Sequence, residues 1–516
     1  MKKLTFVMTL MLAVLMLASC SKKQGSCLIP DNAAFVFRLD MTKMMESTGM
    51  KGDDTSTKKE IEKLIKDAGL DKEIREKLLE IVDDPTSSGI DFTEPFFAYA
   101  APAEERGAFE GALVGCVASK GDLEDTIEKL ASDADDVSLE ESNGVKYVLL
   151  NRDAALIFNG DWFYLGTVEK DGWEPDVDTT IEKLLDRADG KDNIEDNEAF
   201  KQMCERKGLM QWAFIGSGIE GIPGTEQMTS QLPDGCEWKD FAAIMDFIIN
   251  NGEIVIETEA VLMSDEWKEQ ADQYGFKAIE KSQAKYADAD GAMAIINVDP
   301  QKLFKYIKTM AKKYGLRGDE LRALEDMEPI FDILTGKGMI AINGWEEDED
   351  PEVVAYVGAR SNKLVNKIVE GKTADDGVTL LENDCYLIPL DYDYDYNDSI
   401  GDWVMTPTKF MQLGWKDNQT YLLMNTDDAP FTTPRKSFSD VKGEGVYIYA
   451  SGDLLGRAVS SIDYDMDRAG QAVADIVDYA ELYMESTTKG IFRIATTKKD
   501  KSPIVFIIDY VKRKLM

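Results

Sequence analysis

Two matching stretches set the architecture, Ala33-Ala34-Phe35-Val36-Phe37-Arg38-Leu39-Asp40 and Gly291-Ala292-Met293-Ala294-Ile295-Ile296-Asn297-Val298-Asp299. Each has the pattern of a short apolar strand that ends in aspartate and leads into a helix-like segment. An aspartate before the first helical turn accepts hydrogen bonds from free backbone N–H groups. Pro300 after the second stretch suits the first position of a helix. We therefore predict a strand, an aspartate cap and a helix that occur twice.

Three further elements follow in the same order in each half: a strand pair with a helix after it, a tight hairpin and a long closing hairpin. In the first half they lie at 96–130, 155–166 and 243–262, and in the second at 339–368, 410–423 and 491–511. Asn159-Gly160 predicts the tight hairpin, because the favoured two-residue turn needs positive φ. The sequence predicts an α+β fold with antiparallel sheet, in two related copies at 31–285 and 286–516.

Helical spacing of apolar residues predicts additional helices between these elements. They lie at 58–82, with a break at Gly69, and at 268–283, 320–334 and 471–484. Trp162 and Trp212 fall in strand patterns and are predicted to be core residues.

The N-terminus predicts a lipoprotein leader at 1–19. Lys2 and Lys3 precede an apolar run that ends Leu17-Ala18-Ser19-Cys20. That run is shorter than the ~20 residues of a membrane-spanning helix, as in a signal peptide. We expect cleavage before Cys20 and lipid on its thiol, whereas the alternative is an ordinary secretory signal with a cysteine at the cut. Residues 20–30 would then be the lipidated cysteine and a flexible tether.

Composition excludes several classes of function. The 516 residues carry a net charge of −39, which repels nucleic acid and anionic lipid head groups. The chain contains no histidine, which excludes Ser-His-Asp catalysis and H-E-x-x-H zinc sites. Apart from Cys20, the cysteines are an odd number without C-x-x-C spacing: Cys27, Cys116, Cys204, Cys236 and Cys385. Cys204 and Cys236 are the one disulfide pair to test, and Cys116 is predicted to be buried.

Two segments carry a resemblance to a known family. They are Ile29-Pro30-Asp31-Asn32-Ala33-Ala34-Phe35-Val36 and Asp84-Pro85-Thr86-Ser87-Ser88-Gly89-Ile90-Asp91. With these segments the mature chain resembles Bacteroidota lipoproteins that share a domain of unknown function. The resemblance implies an envelope location and a shared architecture, and it supplies no catalytic residues. Ser21 after the lipidated cysteine is compatible with delivery to the outer membrane. Lys22 and Lys23 stand where surface-exposed lipoproteins of this kind carry an acidic run, which favours a protein that faces the periplasm, with surface exposure left open.

Three motifs suggest chemistry, but each is better explained as structure. Gly216-Ser217-Gly218-Ile219-Glu220-Gly221 fits a dinucleotide fingerprint, yet Pro223 stands where its helix should run. Asp391, Asp393 and Asp395 are spaced like calcium ligands, but Tyr396 and Asp402 replace the required glycine and glutamate. The alternative there is a solvated loop or an edge strand. Ser56-Thr57-Lys58-Lys59 fits S-x-x-K only by spacing.

These observations predict a non-catalytic envelope lipoprotein without a cofactor. Its expected contacts are a membrane, through the lipid, and a protein or glycan ligand. One alternative is a carboxylate-dependent glycan hydrolase, since paired carboxyl groups work without histidine. Another is a passive structural protein of the envelope.

Overall fold

The computed structural model describes residues 25–50, 56–103, 109–131, 138–220, 222, 224–230, 232–345, 351–372, 377–381, 384–397, 402–424, 441–462 and 466–515. Helices and antiparallel strands each account for 37% of these described residues, which makes the class α+β as predicted. The chain divides into two compact units. The first comprises residues 1–267 and 500–516, and the second comprises residues 268–499.

The strands of the described residues are all paired in an antiparallel manner. They are β1 Phe35–Leu39, β2 Ile90–Asp91, β3 Phe96–Pro102, β4 Phe109–Val117, β5 Glu140–Ser142, β6 Val145–Leu149, β7 Ala154–Phe158, β8 Trp162–Thr167, β9 Glu169–Asp171, β10 Glu174–Asp176, β11 Met210–Ile215, β12 Phe241–Asn250, β13 Glu253–Leu262, β14 Ala292–Asn297, β15 Leu334–Gly344, β16 Glu352–Ala359, β17 Thr379–Leu380, β18 Cys385–Asn397, β19 Asp402–Lys416, β20 Gln419–Met424, β21 Glu444–Ser451, β22 Val477–Met484 and β23 Lys489–Thr496.

The helices of the described residues are mostly short. They are α1 Met41–Ser47, α2 Ser56–Asp67, α3 Lys72–Asp83, α4 Lys120–Ala131, α5 Val177–Ala188, α6 Glu198–Glu205, α7 Glu226–Thr229, α8 Asp265–Asp272, α9 Pro300–Lys313, α10 Asp319–Glu325, α11 Glu328–Phe331, α12 Lys363–Val369, α13 Gly452–Ser460, α14 Asp467–Ile476 and α15 Pro503–Leu515.

Strand order is the same in the two units. In the first unit the hydrogen-bonded order is β5-β6-β7-β8-β4-β3-β1-β11-β12-β13. In the second it is β17-β18-β19-β20-β16-β15-β14-β21-β22-β23. The first unit adds β2, which pairs with β4, and a separate ribbon of β9 and β10.

The predicted strand, cap and helix are present at both positions. The side chain of Asp40 accepts a hydrogen bond from the Lys43 N–H at the start of α1. The side chain of Asp299 accepts hydrogen bonds from the N–H groups of Gln301 and Lys302 at the start of α9. These local sequence signals are confirmed, because a cap depends on the few residues around it.

The main core of the first unit lies on one face of its sheet. Val36, Phe97 and Val114 of the sheet pack there with Leu184 of α5 and Met203 of α6. Residues 25–30 are buried, with Cys27, Leu28 and Ile29 in the same core. The prediction of a flexible tether is therefore wrong for these residues. Residues 1–24, including the predicted leader and Cys20, lie outside the described residues.

Helices α1 and α4 cover part of the opposite face of that sheet. Met41, Leu123 and Ile127 are buried there, as the helical spacing of 123 and 127 predicts. Gly69 separates α2 from α3 with a φ of 64°, as predicted. Trp162 is buried as predicted, but the prediction for Trp212 is wrong, since this side chain is 38% exposed.

Four predicted elements differ from the structure. Residues 504–511 belong to helix α15 and are not a strand, and 477–484 form strand β22 and are not helical. The helix predicted at 268–283 is shorter and earlier, at Asp265–Asp272, and 320–334 contains two short helices before β15 begins. Short apolar runs fit either period, so tertiary packing decides between helix and strand.

Candidate binding site

A cleft of about 530 Å³ opens in the first unit beside the ends of β4 and β8, the ribbon strand β9 and helix α5. Its lining is Ala103, Phe109, Glu110, Asp153, Tyr164, Thr167, Val168, Glu169, Lys170, Thr180, Lys183, Leu184 and Arg187. Helix α5 is placed by its own cap, since the Asp176 side chain accepts a hydrogen bond from the Thr179 N–H. The helix thereby directs Thr180, Lys183, Leu184 and Arg187 toward the cleft.

A buried ion pair forms the inner wall of this cleft. The two guanidinium nitrogens Nη1 and Nη2 of Arg187 lie 2.5 and 2.8 Å from Oε1 and Oε2 of Glu110. The Tyr99 hydroxyl donates to Glu110 Oε1 at 2.5 Å. Only 12% of the Arg187 side chain and 17% of the Glu110 side chain are exposed. A bidentate pair of this kind fixes both the position and the orientation of the two side chains.

Electrostatics keep Glu110 ionised. Burial by itself disfavours its charged form, but the Arg187 guanidinium and the Tyr99 hydroxyl outweigh burial and lower the pKa of Glu110. Burial also raises the pKa of Tyr99 and of Tyr164. The Tyr164 hydroxyl donates to the Thr167 carbonyl at 2.6 Å. The inner wall therefore holds an anion, a cation and the neutral hydroxyl group of Tyr164, and the Tyr99 hydroxyl supports Glu110 from outside the lining.

The remaining charged groups of the cleft also form pairs. Lys183 Nζ lies 2.8 Å from Glu169 Oε1, and Lys170 Nζ lies 2.5 Å from Asp153 Oδ1. The side chain of Phe109 is 51% exposed among these polar groups. The cleft therefore presents many hydrogen-bonding groups, an aromatic ring and no excess of either charge.

The candidate calcium ligands do not form a loop. Asp391, Asp393 and Asp395 lie on strand β18, which pairs with β19 through Asn397 and Asp402. Alternate residues of a strand stand about 6.6 Å apart, so the loop geometry that would converge on one ion is absent at Asp391 and Asp393. Within the described residues, no cluster of three or more acidic or cysteine side chains could hold a metal ion.

The other motifs are structural. Gly216–Gly218 is a short 3₁₀ turn, and β-carbons at 216 and 218 would collide with Trp238 O and Ala34 N. Ser56-Thr57-Lys58-Lys59 begins α2, with Lys59 exposed.

No disulfide joins the cysteines that the structure describes, so the Cys204–Cys236 pair is not formed. Burial raises the pKa of Cys116 to about 12, as expected for a core thiol.

Sequence reasoning did not find the residues of the cleft. Glu110 and Arg187 stand 77 positions apart, and neither belongs to a motif. With 97 acidic residues in the chain, no pattern distinguishes Glu110. The one sequence feature that could have indicated the cleft is Arg187 in the last turn of α5. An arginine at that position is equally well explained by its favourable interaction with the C-terminal end of the helix.

Comparisons with known proteins match most of the chain to one family model. The model described as "Domain of unknown function (DUF4836)" matches residues 26–397. No curated protein matches. One solved structure, titled "Structure of crystal form IV of TP0453", is similar at 11% identity over 46% of this chain and 81% of that chain, with a TM-score of 0.26. A likeness this small carries no argument. None of the helices in the described residues is long and apolar enough to cross a bilayer.

Proposed function

The chain belongs to the DUF4836 family, and we propose that it is a lipid-anchored envelope protein that binds a glycan in the cleft of the first unit without cleaving it. The observation that carries the proposal is the pairing of charges in that cleft. Arg187, Lys183 and Lys170 each contact a carboxylate that also lines the cleft. A site with balanced charge suits an uncharged ligand rich in hydroxyl groups.

The aromatic side chain of Phe109 supports the same ligand class. It lies at the start of β4 and is half exposed beside Glu110. An aromatic ring can cover the apolar face of a sugar while neighbouring carboxylates and ammonium groups bind its hydroxyls. Sites for small ligands commonly combine apolar surface with a few fixed polar groups.

The carboxyl groups argue against the hydrolase alternative. A glycosidase needs one carboxylic acid with a raised pKa opposite an ionised carboxylate. Among the described residues the carboxyl groups with a raised pKa are Glu94 and Asp246. Neither lines the cleft, whereas Glu110 in the cleft has a lowered pKa. Binding without cleavage therefore fits this cleft better.

Lipid on Cys20 is the proposed anchor, after removal of a signal peptide at 1–19. The support is the sequence Leu17-Ala18-Ser19-Cys20 after a short apolar run and the resemblance to Bacteroidota lipoproteins. The expected location is the outer membrane facing the periplasm. Cys20→Ala should move the protein from the membrane fraction to the soluble fraction, and mass spectrometry of the mature N-terminus should find acyl groups only on the unaltered chain. An unmodified, soluble wild-type protein would contradict the anchor.

We further propose that the two units arose by internal duplication. The support is the common order of ten strands in each unit and the aspartate cap after β1 and after β14. Short 3₁₀ turns at Gly25–Leu28 and Lys281–Ala284 also precede β1 and β14.

A passive structural role for the protein is the other alternative, and it would leave the charged cleft without a function.

Calorimetry with the mature chain would test glycan binding. The ligands are neutral cello-, xylo-, malto- and chito-oligosaccharides. We expect at least one series to bind, and Phe109→Ala and Lys183→Ala to weaken that binding. Tyr314→Ala, which removes an aromatic side chain 71% exposed in the second unit, is the matched control and should change nothing. Cleavage of a glycosidic bond that Glu169→Gln abolishes while the variant stays folded would establish the hydrolase instead.

A further inference from the structure

One face of the second unit's sheet is apolar and half exposed. Side chains alternate along β14, where Met293 and Ile295 are buried while Ala294 and Ile296 lie on the other side. The same alternation occurs on the neighbouring strands. We define the apolar face by ten residues in two rows: Leu482, Ile448, Ala294, Ile340, Ala355 and Leu422, and then Val446, Ile296, Gly338 and Val357.

Strand register places these residues side by side. Leu482 pairs with Ile448, Ile448 with Ala294, and Ala294 with Ile340. The row continues from Ile340 to Ala355 and then to Leu422. In the second row, Ile296 stands between Val446 and Gly338, and Val357 follows. Directly opposed residues of antiparallel strands share a face, so each row is continuous.

The largest side chains of the apolar face remain open to solvent. Exposure is 51% for Ile340, 42% for Ile448, 41% for Ile296, 39% for Leu482 and 38% for Val357. Contiguous exposed apolar surface is uncommon on soluble proteins and marks an interaction site. Small residues, Ala294, Gly338 and Ala355, lie between the large ones.

The backbone under this face limits what can occupy it. Strands β16, β15, β14 and β21 each have hydrogen-bonded neighbours on both sides. An extended peptide on the face would therefore lose hydrogen bonds to water without replacement, at a cost of roughly 1–3 kcal/mol per group. A hydrocarbon chain has no such groups and bears no such cost.

Charge and length also favour a hydrocarbon chain. None of the ten residues is charged or polar, although the protein carries a net charge of −39. The longer row crosses six strands, which is about 24 Å at a strand spacing of ~4.8 Å. One leaflet of a bilayer is about 15 Å of hydrocarbon, so one acyl chain fits within the row. The acidic protein disfavours an anionic head group.

The first unit has an apolar row at the corresponding strands, but α1 and α4 cover part of it, with Phe37 and Leu113 packed against the core beneath these helices. Leu113, Ala98, Phe37, Trp212 and Met245 form one row across β4, β3, β1, β11 and β12. Trp212 is 38% exposed and stacks on Phe35, which is 36% exposed, with ring centroids 5.9 Å apart. Trp212 and Ile448 occupy matching positions in the two strand orders. An apolar row at these strands therefore occurs in both units, and in the first unit it is open to solvent at Trp212.

We infer that the apolar face of the second unit binds the acyl chain of a neutral or zwitterionic lipid. This inference does not depend on glycan binding in the cleft, which lies in the first unit. Each chain carbon laid on the face removes apolar surface from water, at about 25 cal/mol per Å².

The test uses the mature full-length chain and pyrene-labelled phosphatidylcholine below its critical micelle concentration. We expect saturable binding to the wild type, and no binding of dibutyryl phosphatidylcholine, which has the same head group on short chains. Ile340→Glu and Ile448→Glu should each weaken binding by at least about tenfold, because a carboxylate would be buried under the chain. Leu64→Glu, at a side chain 69% exposed on α2, is the matched control and should bind as the wild type does.

A second measurement does not rely on variants. Photocrosslinking of diazirine-labelled phosphatidylcholine to the wild type, followed by peptide mapping, should label residues of the apolar face. Equal binding by Ile340→Glu and the wild type, or crosslinks confined to other surfaces, would overturn the inference. So would a wild-type dimer in sedimentation that Ile340→Glu converts to monomer, because the occupant would then be a second copy.

Discussion

Gly25 packs directly against Gly115, so closely that a β-carbon at residue 25 would come within 2.6 Å of the Gly115 Cα. Gly115 lies in β4, and Gly25 begins the buried 3₁₀ turn. The first residues that the structure describes are thus part of the core of the first unit. If Cys20 carries lipid, five residues join the membrane to this core, which is at most about 18 Å of chain.

Gly25→Ala should therefore destabilise the first unit. Relief of the contact requires a shift of backbone in both segments, and overpacking of this kind costs about 1–3 kcal/mol. Gly121→Ala is the control, because a β-carbon there meets nothing within 4 Å. Urea unfolding of the mature chain should show a lower midpoint for Gly25→Ala alone. Equal midpoints would mean that residue 25 is not part of the core.

Glu110→Gln should destabilise the first unit strongly. It leaves the buried Arg187 guanidinium without a carboxylate, and breaking a buried pair costs about 3–5 kcal/mol. Because the pKa of Glu110 is lowered in the folded protein, the pair stabilises the folded state more at high pH than at low pH. The pair's contribution is complete above the unfolded pKa of about 4.3 and is lost as pH falls through the lower folded pKa.

The difference in unfolding free energy between wild type and Glu110→Gln should therefore shrink below about pH 4.3. Asp186→Asn provides the comparison. Its pair with Lys191 is exposed, at 59% and 63% of the two side chains, and solvent screening should leave it little effect on stability. A constant difference from pH 7 to pH 3 would refute the assignment.

Asp246→Asn should stabilise the protein at neutral pH or leave it unchanged. Burial raises the pKa of Asp246, and this effect exceeds that of the hydrogen bonds from Gln211 and Gly208, which lower it. Stability therefore falls as pH rises through the unfolded and then the folded pKa of this group. Asparagine keeps an oxygen that can accept from Gln211 Nε2, which lies 2.7 Å from Asp246 Oδ1, and removes the charge.

Thermal unfolding from pH 3 to pH 7 would check this prediction, with the variant expected to lose the component of pH dependence due to residue 246. Asp196→Asn, at an exposed side chain, should keep the wild-type profile. A clear destabilisation of Asp246→Asn at pH 7 would show that the ionised group is required.

The two Asn-Gly turns should respond differently to alanine. Gly144, between β5 and β6, has a φ of 78°, and Asn143 before it has a φ of 52°. Gly160 does not have positive φ, and the Asn159 side chain accepts hydrogen bonds from the N–H groups of Asp161 and Trp162 instead. Gly144→Ala should cost about 1 kcal/mol, and Gly160→Ala should cost less, as measured by urea unfolding. The reverse order would contradict the turn geometry.

The strand pairs were predictable because their signals are local. The sequence predicts β1 and β14, their aspartate caps, and the hairpins at β3–β4, β15–β16, β7–β8 and β19–β20, and the structure confirms each. The predicted cause at Asn159-Gly160 is nevertheless wrong, as above. An Asn-Gly turn with positive φ does occur, but at Asn143-Gly144, for which the sequence analysis makes no prediction.

Elements with ambiguous periods were not predictable in this way. Val477–Met484 follows α14 without a glycine or proline break, and becomes β22 by pairing with β21 and β23. The short, mostly apolar run at 504–511 suggests a strand. In the structure it belongs to helix α15, which buries Val505, Phe506 and Tyr510. In both segments the choice depends on neighbours that are distant in sequence.

The sequence alone determined the α+β class, the aspartate caps and the order of the main hairpins, because short-range periodicity and hydrogen bonding specify them. It also excluded histidine chemistry, since the chain has no histidine. Only the tertiary structure decided that residues 25–30 belong to the core, because that depends on contact between Gly25 and Gly115. It alone brought Glu110 to Arg187, and it alone aligned Ile448, Ala294 and Ile340 on one face. Such groupings depend on strand register between distant segments, which no local pattern encodes.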